Sequence, residues 1–214
     1  LSNTRERILI IGGGDGLTAR EVLKYPDVET VDLVDLDPAV TRLATRNYYL
    51  TALNDNALSR PEVQVHHADG FSFLQEERQA YGVIIFDLPD PREEGLAKLY
   101  SREGYRLAKR VLSPGGVVVT QATSPYYARR AYWCIGHTME AAGFIPVSYH
   151  LNVPSFGEWG FQLGLQAEKK LTVDFGVSLQ FLDSYVWDAM RVFDMNMGTV
   201  ETEINRLDQP VLAR

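Results

Sequence analysis

The run Ile8-Leu9-Ile10-Ile11-Gly12-Gly13-Gly14-Asp15-Gly16 decides the fold. Four apolar residues read as a buried strand, the glycines as a tight turn, and Leu17 to Lys24 as the helix that follows. Glycine has no Cβ and tolerates positive φ, so such a turn lets a ligand approach the backbone closely. Where a turn of this kind carries a dinucleotide, the pyrophosphate sits over the helix N-terminus. Asp15 would repel it. The same carboxylate would attract an amine or a sulfonium attached to a nucleoside, so the loop predicts a cationic nucleoside ligand.

Downstream of this turn, apolar strands alternate with amphipathic helices. Strands are predicted over 8–11, 30–34, 63–66, 83–86 and 117–120. Helices are predicted over 20–25, from Pro38 at a first helical position towards Tyr49, and over 71–78, 101–111 and 127–142. Ser113-Pro114-Gly115-Gly116 is a turn signal ahead of the fifth strand, while Phe144 to Tyr149 and Gly160 to Leu165 read as a closing strand pair. The series predicts an α/β fold, a mostly parallel doubly wound sheet with helices on both faces. Residues 1–167 form its main body, and 168–214, with a helical pattern around Ser178 to Val192, a mainly helical C-terminal extension of the same domain.

Composition narrows the function classes. The 214 residues are 45% apolar, enough for one good core. No window approaches the roughly 20 apolar residues of a membrane helix. A net charge of -7, with basic pairs only at Lys109-Arg110, Arg129-Arg130 and Lys169-Lys170, argues against a nucleic-acid surface. The single Cys134 excludes an internal disulfide framework and a cysteine-rich zinc site, and fits a reducing, cytoplasmic compartment. No metal site is expected. The chain begins at Leu1 rather than Met and is expected to be a piece of a longer protein.

In an open parallel sheet the ligand lies outside the carboxyl ends of the strands. Asp15 follows the first strand, Asp35 and Asp37 end the second, Asp69 follows the third, and Asp87 with Asp90 follows the fourth. Four strands thus deliver carboxylates to one edge. Asp37, before Pro38, suits a helix cap. Asp35, about 20 residues after the glycine loop, suits a bidentate grip on ribose hydroxyls. Asp69-Gly70 suits either a cap or the adenine amine. In Phe86-Asp87-Leu88-Pro89-Asp90-Pro91 two prolines stiffen a loop that presents two acids, as a base or an amine clamp would require. His66 and His67 lack metal-ligand spacing and read as ordinary strand-end residues. Tyr126-Tyr127, Trp133 and Trp159 invite a cation-π reading, with core packing the default for Trp133. Glu158 is by default an exposed strand-end carboxylate.

Taken in order, Ile10-Ile11-Gly12-Gly13-Gly14-Asp15-Gly16, Arg20-Glu21-Val22-Leu23, Asp69-Gly70-Phe71, Asp87-x-x-Asp90-Pro91 and Gly157-x-x-Gly160-Phe161 resemble the polyamine aminopropyltransferases, spermidine synthase and its relatives, over about residues 7 to 167. The resemblance implies a class I methyltransferase-like Rossmann fold. It implies transfer of the aminopropyl group of decarboxylated S-adenosylmethionine, a co-substrate rather than a cofactor, to putrescine or a similar amine, giving spermidine and methylthioadenosine. By motif position Asp87 is the catalytic carboxylate and Asp90 the second acid of the amine acceptor. Asp15 holds the aminopropyl amine, Asp35 the ribose, and Asp69 with Gly70 the adenine, while Gly12, Gly14 and Gly16 form the nucleoside loop. The expected partners are therefore a nucleoside donor and a polyamine acceptor, with no nucleic acid.

The departures from the family pattern bear mostly on the acceptor. Leu88 and Pro89 replace small hydroxyl residues, Asp35 stands where Glu is usual, and Val153 to Gly157 lacks a tyrosine, with Phe156 in that space. The family's N-terminal β-domain, which helps typical members to oligomerise, is expected to be absent. The chain is closer to a subgroup in which this domain follows a membrane-embedded region, so a homodimer, a membrane region before residue 1 and the cytoplasmic membrane face enter as expectations. Two alternatives stay open: a methyltransferase using intact S-adenosylmethionine, and a non-catalytic nucleoside- or polyamine-binding domain. The polar loop from Arg92 to Lys98, with Gly95, is expected to be a mobile lid.

Overall fold

The structure, a computed structural model, describes residues 1–2 and 4–213. Its elements in chain order are β1 (Arg7–Gly12), α1 (Leu17–Val22), β2 (Thr30–Asp35), α2 (Pro38–Arg46), α3 (Tyr48–Leu53), β3 (Val63–His67), α4 (Gly70–Glu76), β4 (Tyr81–Asp87), α5 (Glu94–Ala97), α6 (Arg102–Arg110), β5 (Leu112–Gln121), α7 (Arg129–Ala141), β6 (Ile145–Val153), β7 (Gly157–Leu165) and α8 (Ser184–Ala189), with short 3-10 turns at Ala57–Ser59 and Val211–Ala213.

The strands form one sheet in the order β3-β2-β1-β4-β5-β7-β6. The first five run parallel, and the β6–β7 hairpin closes the sheet antiparallel. The period of two explains why β1 is apolar at every position from Ile8 to Ile11. Leu9 and Ile11 enter one core with Phe71, Leu74 and Tyr105, while Ile8 and Ile10 enter the other with Ala19, Ala44 and Leu58. A parallel strand covered on both faces has no polar side.

Strand order reverses between β1 and β4, and in doubly wound sheets the crevice at such a switch point is where ligands bind. In register, Gly12 at the end of β1 sits beside Asp87 at the end of β4. Two motifs far apart in sequence become neighbours through strand pairing alone.

Several boundaries differ from the sequence reading, each for a local reason. The first helix stops at Val22, ahead of Tyr25-Pro26, where proline disfavours helical backbone in the preceding residue. The helix expected to run towards Tyr49 breaks at Asn47, whose side chain accepts from the amides of Tyr49 and Leu50 and caps a second helix. Ser113-Pro114-Gly115-Gly116 does not separate α6 from the fifth strand. β5 starts at Leu112, its register against β4 slips between Tyr81 and Val83, and Gly115 takes φ +76°.

The largest difference is the C-terminal segment. Among its described residues only Ser184–Ala189 is α-helical, so the mainly helical extension is corrected to a largely irregular strap. The strap is held by contacts rather than by its own hydrogen-bond ladder. Trp187 packs with Val117, Leu163 and Leu165 and donates its indole N–H to the Leu171 carbonyl (2.7 Å). Trp133 donates to the Met197 carbonyl (2.9 Å). Asn205, fully buried, donates to the Ala97 carbonyl (2.8 Å), and its amide N–H donates to the Thr138 hydroxyl (2.9 Å). No described helix is long and apolar enough to cross a membrane.

Candidate active site

Two cavities open at the carboxyl edge of the sheet. The larger, of about 680 Å3, is lined by Gly12, Gly13, Gly14, Asp15, Asp35, Asp69, Gly70 and Asp87, with Leu36, Val40, Leu96 and Lys98 at its sides. The second, of about 540 Å3, is lined by Asp90, Arg92, Gln121, Phe156, Trp159 and Phe161. Asp87, Leu88 and Pro89 line both, so this segment is the wall between them. Both volumes lie within the range of small-molecule sites.

The glycine turn is shaped for close approach to that wall. Gly12 has φ +86°, and its neighbour Gly13 donates its amide N–H to the Asp87 carbonyl at 3.1 Å. A Cβ on Gly14 would lie 2.5 Å from the Asp35 carboxylate, which accepts the Gly14 amide at 2.9 Å and, through its other oxygen, the Asp37 amide at 2.9 Å. Backbone amides thus fix Asp35 on the cavity floor. Asp15 is exposed at the rim, and one of its oxygens accepts the Leu17 amide at 2.9 Å.

Gly16 is the glycine of the loop that does not line the cavity. It caps α1 with φ +81°, and a Cβ there would press on Leu58 and Asn54. Its role is in turning the chain, not in touching a ligand.

Asp69 takes one of the two roles open to it, a helix cap, accepting from the Ser72 amide at 2.9 Å, and pairs with Lys98 at 2.8 Å. Burial works against its charge, but Lys98 and Ser72 hold its carboxyl below the usual range. It lines the cavity while its charge is spent on protein partners. Gly70 is buried, and a Cβ there would collide with Ile11. Asp37 caps α2 through the Ala39 amide at 2.7 Å.

Asp87 is the opposite case. Its side chain accepts from the Thr18 hydroxyl at 2.6 Å. Burial raises its carboxyl above the usual carboxylate range, Thr18 opposes that shift, and the charges of Asp15 and Asp35 add to it. A raised carboxylate beside two cavities is a better proton acceptor than an ordinary aspartate.

Asp90 accepts from the Gln121 amide at 3.2 Å and lies 3.6 Å from Arg92. Gln121 also reaches the Tyr100 hydroxyl at 3.4 Å, and Tyr100 donates to the Pro89 carbonyl at 3.2 Å. Burial pushes the Tyr100 phenol up, keeping it protonated and a donor. The loop is therefore pinned from below as well as stiffened by its prolines. Phe156 projects from the β6–β7 hairpin tip, 63% exposed, with its ring 5.2 Å from that of Trp159.

Of the other aromatic candidates, only Trp159 lines either of these two cavities. Trp133 is tied to the C-terminal strap, and Tyr126 and Tyr127 stack edge to face on the surface. Glu158 does not reach the cavity: it pairs with His150 at 2.8 Å, whose other ring nitrogen meets the Val192 carbonyl at 2.8 Å. His66 pairs with buried Asp32 at 2.8 Å, and His67 meets the Thr41 hydroxyl at 2.8 Å. Among the described residues no group of three or more His, Cys, Asp or Glu is placed to hold a metal ion.

The sequence reading missed Thr18, Lys98, Tyr100 and Gln121. Gln121, a polar residue closing an apolar strand at the ligand edge, carried a usable signal; the others acquire their roles from partners distant in sequence.

Comparison with known proteins agrees with this geometry. The model of the spermine/spermidine synthase domain matches residues 1–175. The polyamine aminopropyltransferase of Oceanobacillus iheyensis is 43% identical over 214 residues, covering 98% of this chain and 42% of the relative. Polyamine aminopropyltransferase 2 of Ralstonia nicotianae is 45% identical over 210 residues, covering 97% and 41%. The chain thus spans about two-fifths of the length of these relatives.

Among solved structures, a spermidine synthase in complex with the transition-state analogue AdoDATO superposes with a TM-score of 0.80 at 25% identity, over 90% of this chain and 68% of that one. The spermidine synthase of Thermotoga maritima gives 0.79 at 25% identity, over 90% and 67%. The sheet order and these superpositions identify the fold as the methyltransferase-like Rossmann fold. With the family model covering most of its length and the glycine turn and paired acids in place, the chain belongs to the spermine/spermidine synthase family.

Proposed function

We propose that this chain is the catalytic domain of an aminopropyltransferase that moves the aminopropyl group of decarboxylated S-adenosylmethionine to putrescine or a similar amine, giving spermidine and methylthioadenosine. The observation that carries the reading is the placement of Asp87 in the wall shared by two cavities. One cavity has the glycine turn with Asp15 and Asp35, suited to a cationic nucleoside. The other has Asp90 beside the apolar surface of Phe156, Trp159 and Phe161, suited to an amine on a methylene chain.

The chemistry is an in-line displacement. The amine nitrogen forms a bond to the carbon next to the sulfonium, the carbon–sulfur bond breaks with its electron pair going to sulfur, and a neutral thioether leaves. Asp87 takes the proton that the nitrogen sheds. No charge has to be stabilised on the leaving group, so positioning two substrates is the main task, worth roughly 7–11 kcal/mol when geometry is held. Asp15 at the rim attracts the donor's amine and repels a donor that keeps its carboxylate. Asp35 is the grip on ribose, and Asp69 with Gly70 borders the adenine. Gly12 and Gly14 let the nucleoside reach the backbone. Homodimeric assembly, a membrane-embedded region before residue 1 and a place at the cytoplasmic membrane face belong to this proposal through the family resemblance.

The test is methylthioadenosine release by the intact protein with a panel of amines and both donors. Release by the parent from the decarboxylated donor, lowered about 10²- to 10⁴-fold in Asp87→Asn, supports the reading. Silence of the parent with every amine, or preference for intact S-adenosylmethionine in calorimetric titration, refutes it.

A further inference from the structure

The carboxylates around the glycine turn are held in two different ways. Asp35 gives both oxygens to backbone amides, and Asp15 gives one to the Leu17 amide. Asp87 alone of the three is held by a side chain. Thr18 Oγ1 donates to Asp87 Oδ2 at 2.6 Å, and among the described residues no other group hydrogen-bonds that carboxylate. Thr18 lies in the first turn of α1, which starts at the left-handed Gly16, and its partner is 69 residues away at the end of β4. A β-branched residue brings little to a six-residue helix on propensity grounds, and of the two χ1 rotamers open to a helical threonine Thr18 takes one that turns its hydroxyl to Asp87.

The terminal torsion of an aspartate is broad, so its two oxygens exchange places unless one is tied. We propose that Thr18 is a positioning residue for Asp87: its hydroxyl anchors Oδ2 and leaves Oδ1 to receive the hydrogen of the attacking amine. This rests on the aminopropyl-transfer reading for its purpose, but the contact itself is independent of it. Thr18 also counters burial and the neighbouring charges of Asp15 and Asp35, all of which favour the protonated acid. Removing the hydroxyl leaves those influences unopposed, so the acid keeps its proton to higher pH and the base is lost over a wider acid range.

Thr18→Val keeps the shape and removes the donor; Thr18→Ser keeps the donor. In the intact protein carrying 13C-labelled aspartate, the Asp87 carboxyl resonance, assigned by its absence in Asp87→Asn, is titrated in each variant. The midpoint is expected to rise in Thr18→Val and return towards the parent in Thr18→Ser. Titration of Thr18→Val superimposable on the parent overturns the proposal.

Kinetics supply a second readout. In Thr18→Val the acid limb of kcat/KM moves to higher pH and kcat falls roughly tenfold, while KM for the nucleoside donor stays within about twofold. A lowered Tm with an unmoved pH profile would mean a merely structural threonine and also overturns it. If the parent releases no methylthioadenosine at all, the proposed function fails, and the carboxyl titration still decides the Thr18 contact.

Discussion

Replacing Gly12 with alanine strikes fold and site through one atom. Gly12 has φ +86°, and a Cβ there would lie 2.9 Å from the Asp87 carbonyl carbon and closer still to its oxygen. Holding a non-glycine residue in left-handed backbone costs roughly 1–2 kcal/mol. Forcing a methyl into a packed position costs roughly a further 1–3 kcal/mol. The sum of about 2–5 kcal/mol is a large share of the 5–15 kcal/mol that holds a typical domain together. The atoms that must give way are the backbone of Asp87, so the carboxylate moves with them; a 1 Å misplacement costs on the order of 10²-fold in rate.

Urea unfolding and methylthioadenosine release, measured on the same preparation, read both effects. Gly95→Ala is the matched control. It lies in α5, and an added Cβ meets nothing within 4 Å, so stability should hold or rise by up to about 1 kcal/mol. A Gly12→Ala protein within 1 kcal/mol of the parent, with product release intact, would show that the Asp87 backbone does not confine this position.

Three other variants probe the same geometry. Because the folded carboxyl of Asp87 is raised, the folded state holds a proton that the unfolded state has released, and stability declines as pH rises through that window. Asp87→Asn removes this burden, so the variant should be more stable at neutral pH by about 0.5–2 kcal/mol, the gain vanishing below the ordinary carboxylate range, as thermal melts across pH would reveal. Asn205→Ala leaves the Ala97 carbonyl and the Leu212 amide without their buried partner, which should cost about 1–3 kcal/mol in urea titration. Ala97 ends α5, so the same variant should speed deuterium exchange over 92–98, the segment proposed as a lid; unchanged exchange there would separate the strap from the cavity. Asp15 is exposed, and an exposed charge pair is worth little, so Asp15→Asn should weaken decarboxylated-donor binding only about two- to fivefold while narrowing the preference over the intact donor in calorimetry.

Much of this site was written in local pattern. An apolar run ending in glycines fixes β1 and its turn, and parallel connectivity then sends Asp15, Asp35, Asp69 and Asp87 to one edge whatever the details of the helices. The pairing of Gly12 with Asp87 needed the strand order, which local pattern does not contain. Thr18 was invisible because a threonine in a short helix looks like any other until β4 is placed beside it. Asp69 was undecided between a cap and a ligand because Lys98, its ion-pair partner, comes from a distant loop. The strap from 168 onwards misled because its apolar residues are spaced by what they dock against, and Trp187 answers to Val117 and Leu163 rather than to neighbours one turn away.

The shared wall of Asp87, Leu88 and Pro89 has a consequence for the order of events. Under the proposed function each substrate would have a separate chamber, so neither would have to leave before the other enters, and no protein group need carry the aminopropyl unit between them. Initial rates at several fixed amine concentrations should therefore give intersecting reciprocal plots, the pattern of a ternary complex, and not the parallel lines of a ping-pong enzyme.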